Sequence, residues 1–328
     1  MRVSIRQLAE YCGVSIGTVD RVLNNRAGVK QETRVLVETA IKDLGYSPNY
    51  VAKSLSIGKS MSIGVVLLHL NNSFFAQMSD AIVTEADSLG YFTYLTLSEK
   101  SVDKELKCVK DLVARLSDGI ILFSTNRDEE FAKFLSECGV PIVTVMTELP
   151  GFPKVRIDDH RAMADAARYI VSKGYERIIY VSTPLSYKMT MNILVQEDRR
   201  DGFLSIVRDM DIDYSILDRA DYLSDIDALD LKAKKTAILC SSDVYALQIM
   251  RHLRMRGLTT PYHYGLMGFD NINILQHIDP VLTTVSVPIE VVGRAAVQML
   301  VRRINGEQIA SQVLPHEIIH GQTIIRQN

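Results

Sequence analysis

The chain is poor in cysteine and has no long apolar run, and each shortage removes a class of protein. Its four cysteines, Cys12, Cys108, Cys138 and Cys240, are scattered without CxxC spacing, which fits reduced thiols rather than a disulfide framework or a cysteine metal site. The longest greasy stretch, Ile63 to Leu68, is strand-sized and falls far short of the roughly 18 residues that span a bilayer. The opening MRVSIRQLAEYCG has no apolar signal-peptide core, so a cytoplasmic protein with no membrane partner is expected. P-loop, nucleophile-elbow and glycine-rich dinucleotide fingerprints are missing as well. Neither an enzyme nor a bound cofactor is expected.

One stretch imitates a catalytic motif. His316-Glu317-Ile318-Ile319-His320 spells HExxH, which binds zinc only when a helix brings both histidines to one face. Pro315, Gly321 and the following Thr323-Ile324-Ile325 favour a strand, which sets the histidines about 13 Å apart. No metal site follows from it.

What is present is ordinary in amount and uneven in placement. With 47% hydrophobic and 23% charged residues over 328 positions, the chain can bury two or three cores. Met1 to Ser60 carries nine Lys or Arg against five Asp or Glu, while the remainder carries 28 against 34. A basic head on an acidic body points to an anionic partner for the head.

The pattern inside that head is helical. Ser4-Ile5-Arg6-Gln7 has the form of a capping box and starts a helix that Gly13 stops. Ser15 caps a second helix, seated by Val14, Val19, Val22 and Leu23, and a third runs from Gln31 to Leu44 with Val37, Ala40, Ile41 and Leu44 on one face. Two short helices joined at a glycine make a helix-turn-helix. Ile16, Gly17, Asp20 and Arg21 are left on the outer N-terminal part of helix two, where a recognition helix meets bases. A helical appendage without a nucleic-acid role would show the same spacing.

The run GVSIGTVDRVLNNRAGVKQETRVLVETAIKDLGYSPNYVAKSL resembles the headpiece of the LacI/GalR family of bacterial repressors nearly position for position. The resemblance implies base reading by Ile16 and Gly17, with Thr18, Arg21 and Asn24 at matching recognition-helix positions. Ser4 and Ser15, at the helix starts, join the DNA-contacting set. Asp20 departs from the family's usual serine and would either repel phosphates or accept from a cytosine amino group. Pro48 to Leu55 matches the family's hinge helix, with Asn49 and Lys53 at the groove and Leu55 as a wedge between base pairs.

From Ser62 onward strand-like and helix-like segments alternate in two tandem series, which argues for parallel sheets in two lobes with a ligand at their strand ends. The resemblance extends over this part as a periplasmic-binding-protein-like sensor. The expected organisation is an all-α helix-turn-helix headpiece, 1–47, a hinge helix and linker, 48–60, and an α/β effector-binding domain, 61–328. Within it the first lobe is expected at 61–158 and 289–328, and the second at 159–288.

The family's cleft positions fall on Arg199 and Asp270, a fork and a carboxylate able to grip vicinal hydroxyls of a carbohydrate-like effector. Phe74, Phe75 and Tyr222 could cover the apolar faces of a ring, with Asp158, Ser242 and Asp243 as further lining. Plainer readings stay open: core for the phenylalanines, a loop cap for Tyr222, a helix N-cap for Asp243. The expectation is a homodimeric repressor on a near-palindromic double-stranded operator. No heptad repeat supports a tetramer. A freely soluble sugar carrier, or a nucleobase or sugar phosphate acting as corepressor, are the alternatives.

Overall fold

The computed structural model describes residues 3–47, 58–189, 191–210 and 212–327. Two compact units divide at Met61. In the first, α1 (Ile5–Tyr11), α2 (Ile16–Leu23) and α3 (Gln31–Asp43) close on a core of Leu8, Ala9, Cys12, Val19, Val22, Val37 and Ala40. Ser4 makes both halves of the capping box, its Oγ accepting from the Gln7 N–H and its own N–H donating to Gln7 Oε1. Gly13, at φ +63°, takes the left-handed turn after α1 that other residues adopt only with strain. Ser15 then accepts from the Thr18 N–H to open α2.

The second unit holds two six-stranded sheets. The first runs β11-β5-β4-β3-β1-β2, all parallel, from β1 (Ser62–Leu67), β2 (Phe92–Leu97), β3 (Gly119–Leu122), β4 (Ile142–Val145), β5 (Lys154–Ile157) and β11 (Gln312–Leu314). Around it lie α4 (Ser73–Ser88), α5 (Val102–Ala114), α6 (Glu129–Glu137) and α11 (Ile289–Ile304). The second runs β12-β10-β9-β8-β6-β7, from β6 (Arg177–Val181), β7 (Asp213–Leu217), β8 (Thr236–Cys240), β9 (Gly265–Asp270), β10 (Thr283–Ser286) and β12 (Glu317–Ile319). Only the β10–β12 pair is antiparallel there. Its helices are α7 (Asp159–Ser172), α8 (Leu194–Asp209), α9 (Tyr222–Asp227) and α10 (Asp243–Arg254). The central strands β1, β3, β8 and β9 are buried along their whole length, as parallel strands covered on both faces must be.

The chain changes sheets three times, and the third crossing corrects the expected lobe boundaries. It leaves the first sheet after β5, returns through α11 and β11, and then goes back to the second sheet with β12. Residues 317–327 therefore belong to the second lobe, not the first. Pro315, lacking an N–H, ends β11 after three residues. Beyond it Ile319 pairs with Thr284, Thr323 exchanges bonds with Leu266 and Thr283, and the Gln327 N–H donates to the Lys173 carbonyl. The HExxH segment is this strand. His316 meets Asp165 and His320 meets the Tyr169 hydroxyl, both partners lying on α7.

Candidate functional site

Two sets of side chains emerge, one on each unit. On α2, Ile16 is 45% exposed, and Ser15, Gly17 and Arg21 are also exposed, while Thr18, Asp20 and Asn24 are half-buried. Val19 and Val22 turn inward to the core, so the polar face of α2 is presented by helical periodicity. Asp20 is engaged within the unit: one oxygen accepts from Asn24 Nδ2 at 2.8 Å, the other from Arg26 Nη1 at 3.2 Å. The carboxylate thus ties the end of α2 to the following turn, where Arg34 holds Asn25 Oδ1 and the Arg26 carbonyl. Asn49, Lys53 and Leu55 lie outside the described residues.

In the second unit a cavity of about 530 Å³ opens between the lobes, within the range of small-molecule sites. Its walls come from the segments that follow β1, β3, β4, β6 and β8 and from the end of β9. These are the carboxyl ends of parallel strands, next to the switch points where strand order reverses in each sheet. Phe74, Phe75, Arg199, Ser242 and Asp270 line it.

Arg199 is buried and anchored on three sides. Its Nε donates to Asp159 Oδ1 at 2.8 Å, and its Nη1 to the Ser241 carbonyl at 2.6 Å and to Asp270 Oδ1 at 3.4 Å. The guanidinium also sits 3.7 Å from the centroid of the Phe269 ring. Burial alone would discharge it, but Asp159 and Asp270 outweigh that and raise its pKa, so it stays a cation. Burial pushes the Asp270 carboxyl up to about 7, against the pull of Arg199 and with the push of Asp159. Asp159 is likewise raised by burial despite Arg199.

Asp270 holds φ +115° and Asn271 φ +60°. Such backbone strain costs on the order of 1–3 kcal/mol and persists where surrounding contacts over-determine it. Here the tie to Arg199 and the β9–β10 pairing at Ser286 supply those contacts.

Three expected lining residues sit elsewhere. Asp158 is exposed and caps α7, accepting from the Arg161 N–H, while its neighbour Asp159 is the one turned inward to Arg199. At a helix start the first carboxylate satisfies orphan N–H groups, which leaves the next residue to face the interior. Asp243 is fully buried behind the cavity, accepting from Thr284 Oγ1 at 2.6 Å and the Ile272 N–H at 2.9 Å, with its pKa driven up by burial and then by Asp270. Gly268 is required beside it, because a side chain there would collide with Asp243 Oδ1. Tyr222 is packed edge-on against Tyr245 and donates its hydroxyl to Gln248. It supports two lining residues without lining the cavity itself.

Sequence reasoning missed several contributors. Asp159 was adjacent to a named residue, and its signal was the doubled aspartate at a helix start. His69, packed edge-on to Phe75 at 5.0 Å, lines the cavity with a buried Nδ1 that has no hydrogen-bond partner among the described residues, and burial followed by Lys100 lowers its pKa. The wall it shares with Phe74, Phe75 and Phe123 is a chain of edge-to-face rings. Nothing in the local pattern around His69 marks it, since its environment is assembled from separate strand ends. The cavity can thus offer an aromatic face from the first lobe and a charged, hydrogen-bonding end from the second.

Among the described residues no group of His, Cys, Asp and Glu is arranged to hold a metal ion, and no helix is long and apolar enough to cross a membrane.

Comparison with known proteins finds a family match within each unit. Residues 4–49 match the lacI family of bacterial regulatory proteins, and residues 167–324 match the periplasmic binding protein-like domain. Catabolite control protein A of Priestia megaterium is 32% identical, over 97% of this chain and 98% of its own length. The HTH-type transcriptional regulator RegA of Clostridium saccharobutylicum is 29% identical over 99% of this chain and 100% of its own. Among solved structures, the Lac repressor dimer bound to operator and the anti-inducer ONPF superposes with a TM-score of 0.85 at 25% identity, covering 99% of this chain and 100% of that one.

Proposed function

Because the chain belongs to the LacI family of bacterial regulatory proteins, we propose that it is a repressor, acting in the cytoplasm, whose grip on an operator is set by a small carbohydrate-like effector. Two copies pair, and their α2 helices enter successive major grooves of a near-palindromic site. Ile16 and Gly17 reach base edges, and Arg21, Thr18, Ser15 and Ser4 contact bases or phosphates. Asn24 and Asp20 brace that helix end through each other. Residues 1–47 form the headpiece, 48–60 the hinge and linker, with Asn49, Lys53 and Leu55 in the minor groove, and 61–328 the sensor.

The observation that carries this reading is the conjunction in one chain of an exposed recognition-type helix face with the Arg199–Asp270 pair lining the cleft between the lobes. The pair suits vicinal hydroxyls: the guanidinium donates and the carboxylate accepts. A sugar phosphate is a poorer fit, because the Arg199 charge is already matched by Asp159 and Asp270. A free-standing carrier would leave the α2 face without a purpose.

A thermal-shift screen against sugars, sugar phosphates, polyols and nucleobases tests the sensor half, since a ligand at 100 times its Kd adds about 2.7 kcal/mol. A neutral sugar or polyol is expected to raise Tm and then to change operator affinity, upward for a corepressor or downward for an inducer. A ligand that stabilises the protein while leaving operator affinity untouched would overturn the regulatory reading.

A further inference from the structure

Several of the polar contacts that tie the two lobes of the sensor together converge on one residue, apart from others such as the Asn273 N–H donating to Gln77 Oε1 at 2.9 Å. Asn192, just before α8 in the second lobe, reaches across the cleft. Its backbone N–H donates to the Thr125 carbonyl at 2.6 Å, and its Nδ2 donates to Thr147 Oγ1 at 2.9 Å and to the Glu148 carbonyl at 3.4 Å. Its Oδ1 accepts from the Leu194 N–H at 3.2 Å, so one side chain both starts α8 and holds the opposite lobe.

The far end of this contact is itself braced. Glu105, on α5 and fully buried, aims Oε2 at the loop after β3, accepting from the Thr125 N–H at 2.9 Å, Thr125 Oγ1 at 2.6 Å and the Asn126 N–H at 2.8 Å. A buried carboxylate with three donors is strongly localised, because losing them would leave an unsolvated charge. Two ion pairs flank the junction: Arg127 with Glu197 at 3.5 Å, and Arg156 with Asp198. Thr125, Thr147 and Asn192 all line the cleft, and Arg199 lies less than two turns further along α8.

We propose that Asn192 and Glu105 are positioning residues of a cleft-spanning latch that holds the two lobes to each other. The latch raises the population of the closed, binding-competent sensor, so effector affinity depends on it even though Glu105 does not line the cavity. Any effector that fills the cleft bears on residues 191–196 and therefore on the latch itself. The effect on affinity rests on the effector-binding reading above, whereas the cross-cleft coupling stands apart from the identity of the effector and from DNA binding.

Amide hydrogen exchange on the full-length, ligand-free protein tests it. Asn192→Asp keeps an acceptor for the Leu194 N–H but cannot donate to Thr147 or Glu148. It is expected to speed exchange across the cleft in residues 123–127, whose Thr125 and Asn126 amides bond to Glu105 rather than to Asn192, by about 10-fold, the scale of one lost hydrogen bond. Glu105→Gln is expected to do the reverse, speeding exchange in residues 192–198. Residues 4–23 serve as the unaffected control. If Asn192→Asp disturbs only residues 191–198, or Glu105→Gln only 123–127, the lobes are not latched through this pair and the proposal fails. Should Glu105→Gln raise exchange throughout the sensor, Thr147→Val removes one acceptor without touching the buried carboxylate, and the same cross-cleft criterion decides.

Discussion

The headpiece keeps its candidate side chains outside a small core, whereas the sensor buries its own within a charged network. On α2 the apolar residues Val19 and Val22 point inward and Ile16, Gly17 and Arg21 remain outside, so function there costs the fold little. At the cleft and behind it, Asp159, Asp243, Asp270 and Arg199 are all buried; Asp159 and Asp270 hold the charge on Arg199, and Asp270 adds to the rise in the Asp243 pKa. A surface site is set by the periodicity of one helix. A buried site is set by strand ends that meet only after the chain has folded, and changing one member changes them all.

The largest expected effect breaks that network. Arg199→Ala leaves Asp270 without its cation and Asp159 with only Arg156 at 4.0 Å, and is expected to cost about 3–5 kcal/mol of sensor stability, read by urea unfolding, along with the effector response. A result under about 1 kcal/mol would mean that the carboxyls are already neutral in the native protein.

The pH dependence of stability sharpens the same contrast. Burial raises Asp270 from near 3.8 to about 7, and also raises Asp159, Asp243 and Glu105. The native state then holds more protons than the unfolded chain above the ordinary carboxylate pKa, so stability falls as pH rises from about 4 toward about 7. Asp270→Asn is expected to flatten the upper part of that fall, measured as Tm against pH. An unchanged profile would remove Asp270 as its source.

On the headpiece the effects are smaller and confined to binding. Arg21→Ala is expected to weaken operator affinity by about 1–3 kcal/mol while leaving Tm and effector affinity in place; loss of effector affinity would contradict the separation of the two sites. Smallest of all, Asp20→Ser removes partly exposed contacts to Asn24 and Arg26 and is expected to change headpiece stability by about 1 kcal/mol or less. Because it also removes a negative charge from the α2 face, operator binding should tighten, and a weakened operator would show Asp20 itself reading a base.

How far the molecule was legible in its sequence follows the same divide. Helix caps at Ser4 and Ser15, the turn at Gly13 and the inward valines could be read because each is a local rule acting over three or four residues. The alternation that produced two largely parallel sheets was equally visible. Lys154-Val155-Arg156-Ile157 was not recognised as a strand, since its charged residues mask a buried interior strand: Arg156 is itself buried and paired with Asp198. The return of residues 317–327 to the second lobe was missed because β11 and β12 are three residues each, and partner choice between two sheets leaves no mark on so short a run. In the cleft, Arg199 and Asp270 could be named from their motifs and do lie 3.4 Å apart. The doubled aspartate at 158–159 marked a helix start but not which of the two faces Arg199, 40 positions away, and nothing marked Asn192, whose partner Thr147 lies 45 positions away in the chain.

The most direct test titrates a labelled near-palindromic operator, selected from a random pool with the protein, against wild type and Asp270→Ala, each with and without the ligand that the thermal screen identifies. The account predicts that both proteins bind the ligand-free operator equally, that the ligand changes wild-type affinity by at least about 5-fold, and that Asp270→Ala does not respond. Failure of the wild type to select any DNA, or a normal ligand response in Asp270→Ala, would contradict it.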